Sequence, residues 1–97
     1  MSIVISPQIR DKLALKHNVT PEDIDQCFAN RNGNYIEDSR IEHASESITY
    51  WFIAETHYGR RLKVVFISEN GNTYIRTAFE PTQATISHYL KNGGNVI

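Results

Sequence analysis

The sequence predicts one α+β domain: a helical hairpin, then an antiparallel meander of three to four strands, then a C-terminal helix. Three observations carry that reading. Residues 48–56, 61–68 and 73–80 are runs rich in β-branched and aromatic side chains, separated by turn signals. Ser6-Pro7 and Thr20-Pro21 each pair a capping hydroxyl with a proline, the pattern of a helix start. Pro81-Thr82 ends the last strand and opens one more helix.

Taken in order, residues 3–5 are a short β-branched run that should be extended. The helix from Pro7 should reach about His17, with Ile9 and Leu13 on one face and Asn18 as a left-handed cap. A second helix starts at Pro21. Glu22, Asp23 and Asp25 crowd its first turn, where the helix dipole favours negative charge. It buries Ile24, Cys27 and Phe28 and stops near Asn30. Asn32-Gly33-Asn34 reads as a turn, residues 35–38 as a short strand, and residues 39–47 as the longest polar loop, with Arg40, Glu42 and His43. The last helix draws its apolar face from Ile86, Tyr89 and Leu90 and ends at Asn92-Gly93-Gly94.

Composition narrows the function. The 97 residues supply one modest core and no room for a separate cofactor domain. Apolar content of 40% with 22% charged residues places the chain among ordered globular domains. A net charge of −1 argues against wrapping nucleic acid wholesale, which needs many phosphate contacts, but permits a local basic patch. Cys27 is the single cysteine, so no internal disulfide or paired-cysteine metal framework can form, as suits a reducing compartment. Residues 1–6 lack the length and charge of a signal peptide, and no apolar run nears the ~20 residues of a membrane span. A cytoplasmic protein is expected, with no cofactor, no metal and no membrane.

The turns set an expected register. Asn70-Gly71 is the strongest short hairpin signal and favours a type I′ turn. Counting outward pairs Phe66 with Ile75, Val64 with Thr77 and Leu62 with Phe79. A turn centred on Tyr58-Gly59 pairs Trp51 with Phe66 and Ile53 with Val64. Both turns place Trp51, Ile53, Leu62, Val64, Phe66, Ile75 and Phe79 on one core face. The opposite face then holds Tyr50, Phe52, Val65, Ile67 and Tyr74 at one end, and Arg61, Lys63, Arg76 and Glu80 at the other. Read blandly, this is a solvated face with an Arg61–Glu80 ion pair. Read functionally, it is a phosphate-contacting surface flanked by aromatics, a common way to hold RNA.

No phosphate-binding loop, dinucleotide fingerprint, zinc-protease or nucleophile-elbow motif is present. The four histidines lack the paired spacing of a metal site. A favourable dipole contact accounts for His17, while His57 is a turn residue and His88 a surface one. Cys27 reads as a small buried hydrophobe, and Trp51 as a core anchor. His43 shares the long loop with Arg40, and loops concentrate binding and catalytic groups. Metal-independent RNA cleavage needs a base, an acid and cations for the phosphorane. Arg61, Lys63 and Arg76 are the candidate cations, His43 or Lys63 the candidate base, and Arg40 an accessory.

The order of short motifs carries a resemblance. Lys16-His17-Asn18-Val19, Glu22-Asp23, Phe28, the run Gly59-Arg60-Arg61-Leu62-Lys63-Val64-Val65-Phe66, Ile75-Arg76-Thr77-Ala78 and Tyr89 resemble the motif series of BrnT-type bacterial toxins. The resemblance implies a RelE-like fold, metal-independent ribonuclease activity and an antitoxin protein as partner. Phe79 stands where that family carries an arginine, and residues 82–85 lack its acidic residue, which implies a scaffold with lost or altered activity. Residues 51–66 and 77–81 are also similar to short bacterial proteins labelled ADP-ribosyl-(dinitrogen reductase) hydrolase. Two other readings therefore stand beside the toxin: ADP-ribose chemistry, and a non-catalytic protein-binding module that pairs with a partner or itself through the mixed sheet face.

Overall fold

The computed structural model describes residues 2–38 and 48–94, so Arg40 and His43 lie outside the described residues. Ser6 caps α1 (Pro7–Lys12), its hydroxyl accepting from the Ile9 N–H at 3.2 Å. The helix then widens into a π turn, Leu13–His17, and closes at Asn18, whose φ of 53° is left-handed. The N–H groups of Asn18 and Val19 both donate to the Leu13 carbonyl. Thr20 caps α2 (Pro21–Ala29) through a capping box: its hydroxyl accepts from Asp23 N–H, and the Asp23 carboxylate accepts from Thr20 N–H.

The strands are β1 (Ser2–Val4), β2 (Ile36–Glu37), β3 (Thr49–Glu55), β4 (Arg61–Glu69) and β5 (Asn72–Phe79), followed by α3 (Gln83–Lys91). They form one sheet in the order β1-β5-β4-β3-β2. β2 to β5 are antiparallel to their neighbours, and β1 runs parallel to β5, so the α+β domain carries a mixed five-stranded sheet.

The register departs from the sequence expectation in two places. Asn70 and Gly71 both have positive φ, as a type I′ turn requires, and Phe66 does pair with Ile75. Beyond that pair the ladder shifts: Val65 faces Thr77, leaving Arg76 as the extra residue of a β-bulge. Lys63, not Leu62, therefore faces Phe79. The β3–β4 connection is also one residue different. Thr56 N–H donates to Arg60 O at 2.8 Å, closing a turn over residues 57–59, one residue longer than the Tyr58-Gly59 turn, in which Gly59 takes a φ of 81°. Tyr50 faces Phe66 and Phe52 faces Val64.

A one-residue slip exchanges faces. One side of the sheet thus holds Phe52, Ala54, Leu62, Val64, Phe66, Ile75 and Ala78, all buried. α2 covers it, with the Phe28 ring 4.8 Å from Phe52 and 5.6 Å from Phe66. Trp51, Ile53 and Phe79 turn to the other side. There α3 packs, with the Tyr89 ring 5.5 Å from Trp51. Helices cover both faces instead of one, and the apolar patch expected from Tyr50, Phe52, Val65, Ile67 and Tyr74 is divided between them. On α3, Ile86 and Tyr89 are buried while Leu90 is half-exposed.

Tyr89 is fully buried, and its hydroxyl donates to Asn34 O at 3.0 Å. Gly94 lies directly against that ring, where a Cβ would collide with it. Because the ring is pinned at both ends, Gly94→Ala should cost about 1–3 kcal/mol of unfolding free energy in urea titrations.

Cys27 is fully buried beneath β3, its Sγ 3.7 Å from Ala54 O. Burial, aided by Asp23 and opposed by Arg60, pushes its thiol from 9.0 up to about 12. The raised group favours folding below pH 9, and that contribution is lost as pH climbs toward 12. Unfolding free energy should therefore fall above pH 9, by up to about 1.4 kcal/mol per pH unit. Tyr89, also raised chiefly by burial, adds to the slope above pH 10. Urea titrations from pH 8 to pH 10 should show the fall, and Cys27→Ala should flatten it.

Candidate functional site

The face that carries α3 is only partly covered. β3 lies under the helix, and toward β5 the sheet is open at Lys63, Val65, Thr77 and Phe79, all of intermediate exposure. Lys63 occupies the row Ile53–Lys63–Phe79 across the three long strands. Its Nζ lies 4.4 Å from the centre of the Trp51 ring and 5.7 Å from that of Phe79. Two ring faces attract one ammonium and hold it in position.

A groove of about 400 Å³ opens beside this cation, between the sheet and α3. Glu37 and Asp38 line one side, and Thr85 and His88 the other. The His88 ring lies over Trp51 at 6.0 Å and 23°. A side chain with the ordinary chemistry of proton transfer thus borders the same groove as a held cation.

A second concavity of about 530 Å³ lies past Phe79, lined by Lys12, Lys16, His17, Arg76 and Thr77. Phe79 lines this concavity and also neighbours the held cation: its ring centre is 5.7 Å from that of His17 and 5.7 Å from Lys63 Nζ. Next to it, Arg60 ties three elements together. Its Nη1 donates to Asn18 O at 2.6 Å, its Nη2 to His17 O at 2.7 Å, and its Nε to Glu80 Oε2 at 2.7 Å. The first two bonds satisfy carbonyls left open at the end of the π turn.

The candidate residues separate accordingly. Lys63 lies in the groove and Arg76 in the second concavity. Arg61 lies 3.6 Å from Glu55 at the turn end of β4, an exposed pair worth under about 1 kcal/mol. Glu80 pairs with Arg60, so the expected Arg61–Glu80 bridge is replaced by two others. Phe79, expected in the core, is the aromatic hinge of the exposed face. His17 and His88, assigned to helix-end and surface roles, both border it. Lys12 and Lys16 join the candidate residues here, and their sequence signal is a Lys-x-x-x-Lys-His run at the end of a helix. His57 is structural: Asn30 Nδ2 lies 3.0 Å from its Nδ1 and donates to Glu55 O, while His57 N–H donates to Gln26 Oε1. Among the described residues, no three His, Cys, Asp or Glu side chains gather to hold a metal ion, and no helix is long and apolar enough to cross a membrane.

The chain matches no protein-family model and no curated protein.

Arg60 should matter more to stability than the exposed carboxylate it bonds. Glu80→Gln should cost under about 1 kcal/mol. Arg60→Met, which also uncaps the His17 and Asn18 carbonyls, should cost about 2 kcal/mol or more. Thermal unfolding of the two variants measures the difference.

Proposed function

We propose that the chain is an RNA-binding domain of the BrnT/RelE-like toxin type, the effector half of a bacterial toxin–antitoxin pair. The observation that carries the proposal is Lys63, held between the rings of Trp51 and Phe79 on an open sheet face beside His88. An ammonium flanked by aromatic rings suits a ligand that alternates phosphates with planar bases.

The same residues support metal-independent cleavage. His88 would take the proton of the attacking 2′-hydroxyl and return it to the 5′-oxygen as the P–O5′ bond breaks, and Lys63 would stabilise the charge that builds on the phosphorane oxygens. Arg76 and Arg61 add positive potential from two flanks. Phe79 in place of the family's arginine supports binding more than rate, because a ring adds a stacking surface and removes a charge.

Trp51 is the only tryptophan, so its fluorescence reports directly on the groove. An unstructured RNA oligonucleotide at low salt should quench it saturably, and Lys63→Met should weaken that binding by about tenfold or more. Incubation with total RNA in EDTA should yield fragments, fewer with His88→Gln. A wild-type protein that neither binds nor cuts RNA sinks the reading.

A further inference from the structure

Two irregularities of the fold face each other across Phe79, and each adds a residue. In a regular α-helix, five steps of about 100° would carry His17 well away from the line of Lys12. The π turn closes i→i+5 bonds and has more than four residues per turn, so Lys16 and His17 both stay above Lys12. On the sheet, the bulge leaves Arg76 without a ladder partner and turns it outward, exposed. All four side chains border the same 530 Å³ concavity, with Thr77 and Phe79 as its floor.

Among the described residues that line the concavity there is no carboxylate. Acids outnumber Lys and Arg in the whole chain, 11 to 10, so this concentration does not follow from composition. Lys12 and Lys16 are one helical turn apart, a like-charge spacing that opposes folding unless an anion relieves it. π turns and β-bulges recur at functional sites because they re-aim single side chains. Here one of each aims at the same place.

We propose that Lys12, Lys16, His17 and Arg76 form a phosphate-binding subsite distinct from the Lys63 groove, and that a single-stranded RNA crosses from one to the other with a base against Phe79. The inference rests on the RNA reading above and adds to it the strandedness of the ligand and its path. Ammonium groups and a guanidinium fork take phosphate oxygens. Phe79 lies within 5.7 Å of both halves, so phosphates held on either side bracket its ring. Only an unpaired base can turn to that ring, because duplex bases are already stacked on one another.

The test reads Trp51 fluorescence during titration with a short unstructured RNA and with its duplex, over a range of salt concentrations. The single strand should bind at least about tenfold tighter than the duplex. Lys16→Ala/Arg76→Ala should lower the slope of log affinity against log salt by about 1.4, two contacts at about 0.7 each. Phe79→Leu should weaken single-strand binding by about tenfold and leave duplex binding unchanged. Circular dichroism of each variant checks that the fold is kept. Equal affinity for both forms, or an unchanged salt slope in the folded double variant, overturns this proposal and leaves the Lys63 reading standing. Absence of RNA binding by the wild-type protein overturns both.

Discussion

Trp51 and Phe52 are successive residues of β3, and both are withdrawn from water. Strand alternation sends them to opposite faces, so the sheet must be covered on both. α2 supplies Phe28 over Phe52, and α3 supplies Tyr89 against Trp51. The three-layer arrangement follows from this one doubly buried strand. The covers are unequal. α2 and α3 have nine residues each, but α3 packs at the β3 side, leaving the β4–β5 part of its face half-exposed. The groove beside Lys63 is therefore what a short helix leaves open on a wider sheet.

Irregular backbone recurs along the far rim of this face, past Phe79. A left-handed Asn18 ends the π turn, Arg76 stands outside the ladder, and Gly59 has positive φ in the turn that delivers Arg60. Each gives up regular hydrogen bonding or ordinary torsions, and Arg60 offsets part of the loss by bonding the His17 and Asn18 carbonyls. Conflicts between local preference and global fold are expected where a surface has a task beyond packing. Away from that rim, caps and turns follow ordinary rules: Ser6, Thr20 and Thr82 each accept an N–H from the first turn of their helix.

Local signals proved legible because each is settled within a few residues. A hydroxyl before a proline starts a helix, and Asn70-Gly71 forms its turn, whatever the rest of the chain does. Facing was harder to read because β3 is apolar from Trp51 to Ala54 and offers no alternation to fix its parity. A one-residue difference in the turn therefore exchanges Trp51 with Phe52 without any local contradiction. The bulge at Arg76 had no signal either, since Ile75-Arg76-Thr77 reads as ordinary strand. Lys63 remained on the open face through both changes. Phe79, whose parity depends on the bulge, passed from the core to that face. The parallel β1 was invisible as a pairing, because three β-branched or polar residues do not specify which edge they join.

That parallel pairing has a consequence for how the chain is made. Ser2 partners Asn72, Ile3 partners Thr73 and Val4 partners Tyr74. The members of each pair stand 70 positions apart, and the partner strand is the last of the sheet in chain order. During synthesis β1 leaves the ribosome long before β5 exists, and among the described strands it pairs with β5 alone. The closing of that long loop must follow the β3–β4–β5 hairpins, which need only nearby residues. Until then β5 exposes an unpaired edge and α1 lacks the strand it rests on, so the nascent domain is at its most adhesive just before it is complete.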